Sequence, residues 1–138
     1  MIGSIALSII LEQFGMSPSV NAIFETNIDL IFWIMLFIQL LGEELFKVSV
    51  FLILMHLIFK IASRKLSVIL STIITLTIFG LLHYTAYSGA IVHIILVIGW
   101  GEIFYFYAYL KTKNVVVSYI THLLVDGIVF LSSMLVNF

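Results

Sequence analysis

The sequence predicts an all-α membrane protein, a core of four transmembrane helices preceded by a short interfacial or re-entrant helix. Two observations carry that class. Hydrophobic residues make up 63% of the 138-residue chain and charged residues only 9%, a balance outside the range of soluble globular domains. The apolar residues also gather into four runs, each long enough to cross a hydrocarbon core of about 30 Å, which takes about 20 residues of helix. A single proline and the lack of any linker-like Gly/Ser tract leave room for one compact unit. It divides into an N-terminal segment, residues 1–27, and a transmembrane core, residues 28–138. With no cysteine, disulfides, thiolate zinc sites and cysteine nucleophiles are excluded. A formal net charge of -1 without a basic patch argues against nucleic acid as a partner.

The elements follow in order. Ile2 to Leu11 is apolar for only about ten residues, too short to span, and lacks the basic start and cleavage site of a signal peptide. It reads as an interfacial helix, with Ser17-Pro18-Ser19 as a turn into another short helical piece. The four spans run approximately Ile28 to Ile61, Leu66 to Thr85, Ala90 to Leu110 and Val115 to Val136. The first exceeds a span by about ten residues, so it must tilt, kink or project. Polar, glycine-bearing or basic breaks separate them, at Ser63-Arg64-Lys65, Ser88-Gly89 and Lys111-Thr112-Lys113-Asn114. Such short connections predict antiparallel neighbours. Lys60, Arg64 and Lys65 in one loop and Lys111 and Lys113 in another predict that loops 60–65 and 111–114 are cytoplasmic. Glu12, Glu25 and Asp29 fall on the opposite side, and the composition is compatible with a bacterial plasma membrane.

Within the spans lie Glu43, Glu44, Lys47, His56, His83, His93, Glu102, His122 and Asp126. Each charge at bilayer depth costs a few kcal/mol, so such groups face the bundle interior, pair with one another and are functional candidates by default. Phe79 and His83, His122 and Asp126, and Glu43 and Lys47 stand four apart and share helix faces. Lys47 can therefore pair with Glu43. At a rise of about 1.5 Å per residue, Glu43, His83 and Asp126 lie roughly 25, 27 and 20 Å from the basic loops, and His122 about 13 Å. These depths permit one polar cluster built from three helices.

Glu43, His83, His122 and Asp126 also offer a donor set for zinc, since His/carboxylate sites with an open position hold catalytic zinc, although no H-E-x-x-H pair is present. His56 and His93 read as packing or interfacial residues. Glu102, in Gly99-Trp100-Gly101-Glu102, reads as part of a close helix crossing, with a place in the cluster as the alternative. The aromatic run Phe104 to Tyr109 is expected to anchor the inner interface.

Glu43-Glu44 followed by Lys47, then Phe79-Gly80-Leu81-Leu82-His83, then His122-Leu123-Leu124-Val125-Asp126, resemble three motifs, in order, of the CPBP family. This family, also called Abi, groups CAAX prenyl proteases with bacteriocin-processing or immunity proteins. Its pattern is E-E-x-x-x-R, F-x-x-x-H and H-x-x-x-N or D, each motif on its own transmembrane helix, and the resemblance covers about Leu41 to Gly127. It implies a four-helix core and an intramembrane glutamate endopeptidase acting, without a cofactor, on a peptide or membrane-protein substrate in the bilayer. Glu43 would be the general base for a water that His83 helps to hold. His122 and Asp126 would orient or stabilise the oxyanion, which a neighbouring imidazole donor favours. Glu44 would support the first motif, with Lys47 and Phe79 beside it. The chain departs from the pattern where the arginine falls on Val48; Lys47 stands one position earlier, about 100° around the helix. The alternative is a non-catalytic immunity or accessory subunit that binds a larger membrane partner, and a homo-oligomer is equally open.

Overall fold

The computed structural model describes residues 29–136, with side chains through residue 131; the expected N-terminal interfacial segment lies outside the described residues. Asp29 opens the first helix, its Oδ1 accepting from the Phe32 N–H at 2.8 Å and so satisfying one of the orphan donors of the first turn. Helix α1 runs Leu30–Ile58. Its 29 residues amount to about 43 Å, more than a bilayer core requires. Ser63 then caps α2, Arg64–Leu82, by accepting from the Leu66 N–H. This helix ends three residues before the sequence reading placed its end, and His83 becomes its cap. The chain reverses through 83–90, where Ser88 and Gly89 take φ of 50° and 74°. A side chain on Gly89 would also come within 3.0 Å of the Tyr84 ring, so both backbone and space require glycine there.

Helix α3, Ile91–Thr112, is irregular in its middle. Ile94–Gly99 is π-helical and Trp100–Glu102 is a 3-10 turn, after which regular helix resumes at Ile103. Lys113 takes the left-handed conformation that ends the helix. Asn114 caps α4, Val115–Val136, through Oδ1 and the Val116 N–H at 2.9 Å. Among the described residues there is no strand.

The four helices close a ring. Helix α1 packs on α2 and α4, the π-helical part of α3 packs on α2, and the second half of α3 packs on α4. The pairs Glu43 with His83 and Lys47 with Phe79 show α1 and α2 running antiparallel. The α2–α3 crossing is backbone against backbone: a Cβ on Gly80 would lie 2.5 Å from the Ile94 carbonyl oxygen, and one on Gly99 2.5 Å from that of Leu76. The glycines thus do make a close helix crossing, as expected from the small residues there.

Two apolar clusters fill the interior. Phe51, Leu76, Phe106 and Tyr109 form one, and Leu36, Leu40 and Phe130 the other. Between them lies a buried layer of Glu44, Lys47, Glu102, Ser118 and His122. The aromatic run of α3 divides between inside and outside. Tyr105, Phe106 and Tyr109 are buried, whereas Phe104 and Tyr107 face outward, because the helical repeat distributes these five aromatics around the axis.

The outer surface is apolar. On α1 alone Ile31, Met35, Ile38, Leu45, Leu52 and Ile53 are exposed, a patch that water tolerates poorly and lipid solvates. Arg64–Leu82 and Ile91–Thr112 are long and apolar enough to cross a membrane. Helix α1 carries three charges in its middle, Glu44 and Lys47 of the buried layer and the half-buried Glu43, and α4 presents a 17-residue apolar stretch, Val115–Leu131, within its described side chains.

Candidate active site

The polar residues fall into an inner network and an outer pair. Glu44 and Lys47 stand one turn apart on α1, with Lys47 Nζ 2.5 Å from Glu44 Oε1. The same ammonium donates to Glu102 Oε2 from α3. From α4, His122 places Nδ1 2.9 Å from Glu44 Oε1 and Nε2 3.5 Å from Glu102 Oε1. Ser118, one turn away, donates its hydroxyl to Glu44 Oε2 at 2.6 Å. The Tyr105 ring lies flat against His122, 5.4 Å between centroids, and fixes the imidazole plane. Both Glu44 oxygens therefore have partners, and Lys47 is held between two carboxylates. That is the condition under which buried charges are tolerated.

The outer pair is Glu43 on α1 and His83 at the end of α2. Glu43 Oε1 accepts from Gln39 Nε2 at 2.9 Å and lies 4.0 Å from His83 Nε2. Their side chains are 17% and 20% exposed, respectively. His83 Nδ1 donates to the Phe79 carbonyl at 3.0 Å. A carbonyl can only accept, so this bond puts the proton of the neutral ring on Nδ1 and turns the Nε2 lone pair toward Glu43. Phe79 joins the two regions: its ring is 4.8 Å from that of His83 on one side and 4.5 Å from Lys47 Nζ on the other. Cation–π contact of this kind helps hold a desolvated ammonium.

The expected residues thus come together, but in a different grouping. Lys47 pairs with Glu44 and Glu102, not with Glu43, because two inward carboxylates offer a desolvated ammonium more than one carboxylate already bonded to Gln39. His122 likewise faces Glu44 and Glu102. Asp126 touches it at 3.5 Å from Nε2 and is 31% exposed, forming the way from the network to the surface. Val48, the position of the family arginine, packs against the apolar cluster around Phe51. The shift of one residue to Lys47 therefore carries the cation into the network. His56 is exposed, and the His93 ring meets that of Tyr87 at a tilt, 5.3 Å between centroids; neither joins the site.

Glu102 is the residue that spacing missed. Its only signals were a carboxylate inside a span and its neighbouring glycines. Its direction depends on the π-helical stretch just before it, where the turn is wider than 3.6 residues and counting around the helix fails. Glu44, Glu102 and His122 each bring a ligand atom to within 4.8 Å of the others. That trio differs from the donor set that the sequence offered as an alternative for zinc, which mixed the outer pair with His122 and Asp126.

No curated protein and no solved structure matches this chain. A family profile described as Type II CAAX prenyl endopeptidase Rce1-like matches residues 26–128, a stretch that contains the whole inner network and the outer pair. The chain therefore belongs to the type II CAAX prenyl endopeptidase Rce1-like family, a family of proteases, and is a helical membrane protein.

Proposed function

We propose that the chain is an intramembrane endopeptidase in which Glu43 and His83 activate a water against a peptide bond. One observation carries this reading: Glu43 Oε1 and His83 Nε2 face each other at 4.0 Å and remain partly exposed. A water within about 2.8 Å of each group can donate one hydrogen to the carboxylate and the other to the imidazole nitrogen. Its lone pair is then free for the scissile carbonyl carbon. Glu43 takes the proton as general base and returns it to the leaving amide nitrogen. His122 and Asp126 act from the neighbouring helix, orienting or stabilising the oxyanion, and Glu44 with Lys47 holds His122 in place. The mechanism asks for no metal.

All four helices cross the bilayer in this reading, with loops 60–65 and 111–114 on the cytoplasmic face of a bacterial plasma membrane. The substrate is a peptide or a membrane-protein segment that reaches the site from the lipid or from the membrane surface. A second reading is favoured by the completeness of the inner network. A lysine tied between Glu44 and Glu102 also suits a non-catalytic immunity or accessory subunit that docks on a larger membrane partner.

Purified protein incubated with a fluorogenic peptide library, or co-expressed with a membrane substrate, should cleave it. Glu43→Ala and His83→Ala should each abolish cleavage while the helical content is unchanged. Equal activity in both variants and the parent would rule the enzyme out. A stable larger complex that survives Glu43→Ala would establish the accessory role instead.

A further inference from the structure

The inner network has the form of an occupied cation site. Two carboxylates, Glu44 and Glu102, come from different helices, and the imidazole of His122 from a third. All three residues are buried, and their ligand atoms lie within 4.8 Å of one another. His/carboxylate trios of this kind bind zinc at about 2.0–2.2 Å per ligand, which sets tetrahedral ligands roughly 3.5 Å apart. An inward movement of about 1 Å by flexible glutamate side chains covers the difference. What stands among the three is the Lys47 ammonium. It contacts both carboxylates and lies 3.5 Å from His122 Nδ1.

We infer that Glu44, Glu102 and His122 form a cation site whose resident is the Lys47 ammonium, and that a zinc-class divalent ion takes the same place once the ammonium is removed. An ammonium on a flexible stem is a compact charge with three donors, suited to a pocket that Glu102 closes from the third helix. It also makes the network self-sufficient: the two carboxylates are neutralised by the chain itself, and a divalent ion would have to displace a covalently tethered competitor. This inference does not rest on the peptidase reading, and its test needs no substrate.

The test uses the full chain in detergent micelles, free of any histidine tag. Parent, Lys47→Ala, Lys47→Ala/Glu102→Gln and Lys47→Ala/His122→Ala are equilibrated with Zn2+, desalted and assayed for bound metal; Co2+ spectra report the coordination geometry. The expected result is one zinc per chain in Lys47→Ala with the visible bands of tetrahedral Co2+, background metal in the parent, and loss of the ion in both double variants. Folded Lys47→Ala that retains no more zinc than the parent overturns the inference. So does zinc retention that ignores Glu102→Gln and His122→Ala. Should Lys47→Ala fold poorly, the site predicts that zinc in the growth medium restores its yield and helical content, and that Lys47→Ser behaves alike. Failure of zinc to rescue either variant also overturns it.

Discussion

The inner network and the outer pair use the same side-chain chemistry and end in opposite states. Glu44 has a partner on each oxygen, while Glu43, its neighbour in sequence, keeps one firm partner in Gln39 and looks across 4.0 Å to His83. The difference comes from the helix. Adjacent residues point about 100° apart, so one glutamate enters the bundle and the other meets its rim. Inside, desolvation is severe, and only a closed set of ion pairs survives it. At the rim, partial hydration relaxes that demand and leaves a carboxylate and an imidazole able to receive a third molecule. In the proposed reading, the buried charge cluster sets the geometry of the site, and the incompletely paired groups beside it carry the chemistry.

Four measurements sharpen or break that contrast. The largest effect belongs to the outer pair: Glu43→Gln should lower peptide cleavage by about 10²–10⁴-fold, the usual worth of a general base, with thermal stability in detergent unchanged. A variant that unfolds instead would place Glu43 in the scaffold. The inner network should answer the other way. Lys47→Ala strands two buried carboxylates and should cost about 3–5 kcal/mol of stability in metal-free buffer, the range for breaking a buried ion pair. Combining Lys47→Met with Glu102→Gln should cost less than the sum of the two singles; strict additivity in that double-mutant cycle would show that the two residues do not act as a unit.

The third measurement concerns the crossing that aims Glu102. Gly99→Ala pushes a methyl against the Leu76 carbonyl oxygen and should destabilise by about 1–3 kcal/mol, as overpacking does. Gly42→Ala meets no atom within 4 Å and should stabilise α1 by up to about 1 kcal/mol through helix propensity. If both glycines respond alike, close packing is not what Gly99 provides. The smallest effect is a baseline away from both regions. Tyr119→Phe removes a hydroxyl that donates to the exposed Phe37 carbonyl at 3.1 Å and should cost about 0.5 kcal/mol, with cleavage unaffected.

Much of this was legible beforehand, and the particular residues show why. The helices follow apolar run length and capping chemistry, both local properties; Asp29, Ser63 and Asn114 start their helices with the bonds such residues ordinarily make. The α1 and α2 motifs were readable because both helices are regular, so Phe79 and His83 share a face as four-residue spacing requires. The choice of partner for Lys47 was not readable. Spacing on α1 allowed Glu43 or Glu44, and the decision came from Glu102 on another helix. Nor was the end of α2 at Leu82, since the residues beyond it are apolar enough to continue the helix and the turn is set by Ser88 and Gly89 farther on.

By itself the sequence determined a helical membrane protein, the approximate positions of its helices, and a resemblance to its protease family, because composition, period and caps act within a few residues of chain. The tertiary structure alone decided which charges neutralise one another. That choice depends on where side chains from α1, α3 and α4 meet, and on a π-helical stretch that turns Glu102 inward. At low dielectric, contacts of a few ångströms between distant residues outweigh any preference written along one helix.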